Sequence, residues 1–216
     1  MSNDIVFKDL NDWIENSDMP NGKRKVLQAA IKLFSIQGFN GTSTSEIAKE
    51  SGMSQATIFK YFKSKDDLLL AIITPIIERI IPTYGENFFN EFSTSSTSLK
   101  EMIHFAIFDR YSFMVNNKDA ILILLSEVLV NPKVKDMIVS SLLVKINKFI
   151  NIAWTSIKNT GEIRDDIDFI AFVRLAMGQL AFYFLQTQKF SNLNDKEQIE
   201  KDLDNIVQMV FRAVKK

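Results

Sequence analysis

The 216-residue chain has no cysteine, one histidine, four prolines and seven glycines. The first absence excludes disulfide frameworks, thiolate nucleophiles and Cys-ligated metal sites. With His104 as the sole histidine, a His-rich metal centre is excluded, and any Ser-His-Asp triad would have to be built on that residue. Few glycines and prolines mean few turn-formers, which argues for long helices. The longest uninterrupted apolar runs, Ala120–Leu125 and Leu180–Leu185, fall well short of the ~20 residues that span a bilayer. The first ten residues are acidic and lack the apolar core of a secretory signal. The expectation is a cytoplasmic protein with no membrane partner, no cofactor and no metal.

The chain is rich in phenylalanine, with 18, and 46% of it is hydrophobic. That is a globular composition at a length sufficient for a core without staples. Basic and acidic residues balance at 26 each. The balance hides a pattern. Residues 1–20 carry a net −4, residues 21–65 a net +6, and the remainder −2. A basic block inside a neutral chain is the electrostatic footprint of a phosphate-binding module.

Periodicity reads as helix throughout. Val6, Leu10, Trp13 and Ile14 sit at helical spacing within 3–17, and Met19-Pro20-Asn21-Gly22 breaks the pattern. From Lys23, Val26, Leu27, Ala30, Ile31 and Phe34 make one apolar face that ends at Gly38. Ser43 to Glu46 spells a capping box. It opens a short helix through Ile47 and Ala48 that stops at Gly52, and Ser54 caps the next, with Ile58 and Phe62 inward. A further helix starts after Ser64, with Asp66 and Asp67 favourable in its first turn. Pro75 is expected to kink it, and Pro82 to end or kink it again. Ser93–Ser98 reads as a loop. Further helices are expected from Ser98 to about 116, over 118–130, from Asn131-Pro132 to about 159, over 165–188, and from an Asn194 cap to Val214.

Two short helices joined by a Gly-containing turn, with Ile47, Ala48, Met53, Ile58 and Phe62 holding them together, are helix-turn-helix grammar. The second helix projects Gln55, Ala56, Thr57, Phe59, Lys60 and Tyr61 outward. Gln suits an adenine edge, Ala and the Thr methyl suit thymine, Lys reaches guanine or phosphate, and a Tyr hydroxyl reaches phosphate. Thr44 and Ser45 open the first helix, where backbone N–H groups meet anions.

This stretch resembles the TetR family of bacterial transcriptional repressors. The matching residues run from the Arg24–Phe34 helix and Gly38-Phe39 through Thr44, Ile47-Ala48, Gly52-Met53-Ser54 and Thr57–Phe62 to Lys65 and Leu68-Leu69. The chain departs from the common pattern with Ala56 for Gly, Phe59 for Tyr and Tyr61 for His. The resemblance implies an all-α fold of about nine helices. Residues 1–20 form an acidic extension, 21–66 a three-helix DNA-binding domain, and 67–216 a helical ligand-binding and dimerisation domain. It also implies a DNA-reading set of Thr44, Ser45, Ser54, Gln55, Ala56, Thr57, Phe59, Lys60, Tyr61 and Lys65, acting on a double-stranded, near-palindromic operator.

The later helices support that division on their own physics. The 165–188 helix is apolar on nearly every face, so it is either central or shared with a second copy. With the helix at 195–214 it resembles the family's homodimer interface. Phe89, Phe92, Phe105, Phe108, Tyr111 and Trp154 head an aromatic set suited to an apolar pocket. A small apolar or amphipathic effector is the expected occupant. Two competing readings are a helical enzyme and a protein-interaction module using the same aromatics. The first lacks a nucleophile–base pair, and the second leaves the basic block unexplained.

Overall fold

Each turn of the chain is made by the residue type its geometry demands. Ser43 accepts a hydrogen bond from the Glu46 N–H, and Glu46 in turn accepts from the Ser43 N–H at 2.8 Å, closing the capping box. Gly52 ends that helix at φ 66° and ψ 22°, the left-handed conformation that an L side chain disfavours. Ser54, Ser64, Asn131 and Asp168 each cap a helix with a side-chain oxygen.

The computed structural model describes residues 10–95, 98–190 and 195–216. Among these the elements are α1 (Leu10–Asn16), α2 (Asn21–Gln37), α3 (Thr44–Ser51), α4 (Gln55–Tyr61), α5 (Lys65–Pro75), α6 (Ile81–Ser95), α7 (Leu99–Asn116), α8 (Lys118–Val130), α9 (Pro132–Met137), α10 (Val144–Asn159), α11 (Phe169–Leu185) and α12 (Lys196–Val214). Three π-helical stretches, Ile76–Ile80, Ile138–Leu143 and Gln186–Phe190, join α5 to α6 and α9 to α10 and extend α11. No strand occurs among the described residues; an isolated bridge pairs Ile163 with Lys215. The chain is all-α, as expected.

The chain packs as two units. The first comprises residues 1–85 and 117–146. Here α2 is the central helix and packs on α1, α3, α4, α5 and α8. The face expected from the sequence is the buried one: Val26, Leu27, Ala30, Ile31 and Phe34 meet Ile47, Ile58, Phe62 and the α5 residues Leu68, Leu69, Ile72 and Ile73. At roughly 1.5–3 kcal/mol for each large side chain taken out of water, this is the dominant favourable term in the unit. The second unit comprises 86–116 and 147–216. There α7 packs on α11 and α12, burying Leu99, Met102, Ile103 and Ile107 with Leu203, Ile206, Val207, Val210 and Val214.

Several boundaries differ from expectation. Pro82 does not end its helix: the run continues from α5 through Pro75, where only a kink was expected, into the π stretch and on through Pro82 in α6. The π stretch bonds Ile81 N–H to the Ile76 carbonyl five residues back, and that wider turn accommodates the proline rings. The Ser93–Ser98 segment is helical through Ser95, with 96–97 outside the described residues. The 165–188 helix begins at Phe169, because Asp168 caps it and Arg164 pairs with Asp166 ahead of it. Asn194 lies outside the described residues, and Asp195 is the cap of α12. Helical winding also gathers apolar residues that the linear runs did not. Lys65–Phe92 and Phe169–Phe190 are, by length and composition alone, apolar enough to cross a membrane. Half of the first one's apolar window is buried in the chain's own packing, against 28% of the second's.

Candidate nucleic-acid interface

The α3–turn–α4 pair holds most of the residues expected to read DNA. Its inner side is fixed by Ile47 and Ile58, each at most 1% exposed, and by Phe62. Opposite them, Gln55, Ala56, Phe59 and Lys60 of α4 face solvent, Phe59 at 48%. Ser45 is exposed at the start of α3, and the Gln55 amide donates to its hydroxyl at 2.7 Å. That bond ties the first turn of one helix to the first turn of the next and restricts the Gln55 rotamer. Thr44 is half-buried in the same α3 turn. The Ser54 hydroxyl caps α4 and lies 2.9 Å from the Thr57 hydroxyl, so both groups are occupied at the helix start. Lys60 reaches over the Tyr61 ring, its ammonium 5.9 Å from the centroid. Tyr61 is half-buried, and a Cβ added at Gly22 would stand 3.2 Å from its hydroxyl.

Lys65 is placed differently. Its ammonium donates to the Phe39 and Thr42 carbonyls, both at 2.8 Å, and lies 4.3 Å from the Phe39 ring centroid. It braces the loop between α2 and α3. Arg24 is a brace of the same kind. Its guanidinium donates to the Ile14 and Ser17 carbonyls, each at 3.1 Å, and anchors α1 on α2. Lys32 pairs with Glu50 on the surface. Three of the eight basic residues in 21–65 are thus bound to the protein itself. Lys25, Lys49, Lys60 and Lys63 are exposed and make no ion pair among the described residues. Net charge in the sequence does not distinguish these two uses; only the positions of the carbonyls do.

Glu46 is the titratable group this module perturbs. Hydrogen bonds from the Ser43 N–H, then from the Ser43 hydroxyl and the Gln37 amide, hold its carboxyl below the usual range, with Lys65 adding a smaller attraction.

In the second unit the aromatic residues form separate groups. Phe88 stacks on Phe105 at 5.7 Å and meets Phe89 and Phe92 at 5.2 and 5.5 Å, while the Arg110 guanidinium covers Phe88 at 3.8 Å. Phe108 stacks on His104 at 4.2 Å. Tyr111 meets Tyr183 at 5.6 Å and lies 3.4 Å from the Thr187 hydroxyl. Trp154 packs on Phe169 and Phe172. Of the six expected ligand contacts, Phe89, Phe92 and Phe105 share one cluster; Phe108, Tyr111 and Trp154 each sit in another. Phe88 and Arg110, at the centre of the first, lie outside the expected set. Among the described residues, no group of acidic and histidine side chains has metal-binding geometry.

Residues 26–72 match the model of the bacterial regulatory proteins of the tetR family. YttP of Bacillus subtilis, described as a probable HTH-type transcriptional regulator, is 32% identical over 123 residues, 57% of this chain and 58% of its own length. The chain therefore spans little more than half of that relative. Solved structures extend the likeness along the whole fold. The regulator FadR of B. subtilis, in complex with stearoyl-CoA, superposes with a TM-score of 0.58 at 17% identity, covering 87% of this chain and 96% of its own. The ketosteroid transcriptional regulator KstR2 of Mycobacterium tuberculosis gives 0.63 at 12%, covering 93% and 97%.

Proposed function

The chain belongs to the TetR family of bacterial regulatory proteins, and on that premise we propose that it is a ligand-responsive, DNA-binding transcriptional regulator. It binds a near-palindromic operator as a homodimer, represses transcription there, and leaves when a small apolar or amphipathic molecule binds the second unit. The observation that carries this reading is the capped α3–α4 pair, with Gln55, Ala56, Phe59 and Lys60 together on its exposed face. Gln55 and Ala56 are suited to base edges, and Lys60 to a guanine or a phosphate. Thr44, Ser45, Ser54 and Thr57 lie at the two helix starts, and Tyr61 adds a hydroxyl at the end of α4. Lys65 supports the loop that presents them.

A second copy is favoured by α11. Ile170, Arg174, Gly178 and Phe182 are exposed at four-residue steps, one continuous stripe, and Ile170 and Phe182 are each about two-thirds exposed. Two large apolar side chains this exposed, with the side-chain-free Gly178 between them to admit a close approach, favour a second copy on this side of α11. Two recognition helices in a dimer then read half-sites whose spacing follows the protein's symmetry. The effector class follows from the Phe88, Phe89, Phe92 and Phe105 cluster, an apolar group covered by the Arg110 guanidinium, whose charge is paired with Asp109. FadR of B. subtilis, of the same fold, was solved with stearoyl-CoA, an amphipathic molecule. Release is a population shift, in which the effector favours one placement of the helical run that starts at Lys65.

The test is an anisotropy titration of the protein against a labelled duplex from upstream of its own gene, with competitor DNA, at two salt concentrations. Competitor-resistant binding that weakens steeply with salt is expected. A search of genomic fragments that yields no specific duplex would overturn the reading.

A further inference from the structure

The first unit contains a cleft of about 480 Å³ that the DNA-reading surface does not use. It is lined by α1 and the turn after it (Trp13, Ser17, Asp18, Met19), by α2 (Lys23, Leu27) and by α5 (Leu70, Ala71, Thr74, Pro75). Arg24 fixes the α1 side by its bonds to the Ile14 and Ser17 carbonyls, so the cleft is built and not a gap beside a loose end.

Its chemistry is apolar with opposite charges. Leu70 and Ala71 offer an aliphatic surface backed by the buried Leu27 and Pro75, and the Trp13 indole offers a flat one. Asp18 and Lys23 line the same cleft and form no ion pair with each other or with any described residue; the Lys23 ammonium rests 5.6 Å from the Phe62 ring centroid, a contact that leaves its charge without a carboxylate. The Trp13 indole N–H and the Thr74 hydroxyl make no hydrogen bond among the described residues either. A carboxylate and an ammonium, five residues apart and left separate, are complementary to a ligand that carries both charges. The remaining donors match extra acceptor atoms, and the aliphatic surface matches a side group.

We propose that this cleft binds a small zwitterion with an apolar side group, the chemistry of a free apolar or aromatic amino acid. The ligand ammonium meets Asp18, its carboxylate meets Lys23, and its side group lies on Leu70, Ala71 and the Trp13 ring. The site is separate from the aromatic residues of the second unit, and its occupancy does not depend on DNA binding.

The chain has two tryptophans, so Trp154→Phe leaves Trp13 as the sole indole reporter. Titrating that protein with L-phenylalanine into the millimolar range should give a saturable change in Trp13 emission. Asp18→Asn should weaken L-phenylalanine by about tenfold, the size of one charge-assisted contact, and leave hydrocinnamate, which lacks the ammonium, unchanged. Lys23→Gln should likewise weaken L-phenylalanine about tenfold and leave phenethylamine, which lacks the carboxylate, unchanged. Circular dichroism of each variant checks the fold. No saturable response, or a response that neither variant alters, overturns the proposal.

Discussion

Lys60 and Lys65 are five residues apart and carry the same charge, and their environments give them different work. Lys65→Met removes two hydrogen bonds to the Phe39 and Thr42 carbonyls, at about 1 kcal/mol each. Thermal unfolding should register that loss. Lys60→Gln leaves the fold intact and should reduce the salt slope of operator binding by about one phosphate contact. Equal effects of both changes on stability would contradict this assignment. Gly52 shows a second residue-scale constraint. A Cβ there meets nothing within 4 Å, so space is not the obstacle; the positive φ is. Gly52→Ala should cost about 1 kcal/mol in denaturant unfolding, and Gly52→Asn less. Glu46 adds a pH signature. Its folded pKa lies below the ordinary value of 4.5, so its stabilising effect is complete above that value and is lost as pH falls through the lower, folded one. Glu46→Gln has nothing to lose there. The melting-temperature gap between the two proteins should therefore narrow on acidification through that range.

Elements in this chain are defined more sharply by their ends than by their interiors. The Ser43–Glu46 box, Gly52, Ser54, Ser64 and Asn131-Pro132 are local chemistry, and local chemistry is legible in one dimension. The α5–α6 run defeats such reading for the opposite reason. Pro82 predicts an end only if the helix stays α, and the π stretch at Ile76–Ile80 lifts that assumption. Nothing in the residue types of Ile76–Ile80 announces it. Tyr183 belongs to this scale because it joins two helices: its hydroxyl in α11 donates to Asp202 of α12 at 3.0 Å. Burial first, then that carboxylate, push its pKa up from the ordinary 10. The contact is intact below pH 10 and fails only as pH rises through the higher folded value. Tyr183→Phe should cost about 1 kcal/mol at neutral pH. Denaturant unfolding of the two proteins at neutral pH reads that loss, and equal stabilities would contradict the contact.

At the scale of the whole molecule, the exposed side of α4 was legible and the grouping of the aromatic residues was not. Four-residue spacing and caps place Gln55, Ala56, Phe59 and Lys60 on the exposed side as expected, whereas Thr57 and Tyr61, expected outward with them, are half-buried because they turn toward the Ser54 cap and toward Gly22. Which of Phe89, Phe92, Phe105, Phe108, Tyr111 and Trp154 share a cluster depends on how α6, α7, α10 and α11 are packed, and spacing along one helix carries no such information. The α11 stripe leads to a prediction of assembly. Phe182→Asp places a charge on an already exposed position, so the protomer should fold while sedimentation shows it as a monomer and operator affinity falls. A dimer that survives the change would place the interface elsewhere. The acidic extension belongs to this scale as well. Seven residues are too few to hold a helix in water, where isolated helices need about 12–15. What keeps α1 folded is that the short link from Ser17 to Asn21 presents it to Arg24 and α2 at a high effective concentration. A single protease nick in that link would turn an intramolecular contact into a bimolecular one between a micromolar peptide and its groove. The helix would leave, and Leu27 with the cleft beside it would open to solvent: one peptide bond separates an ordered head from one stripped of its first helix.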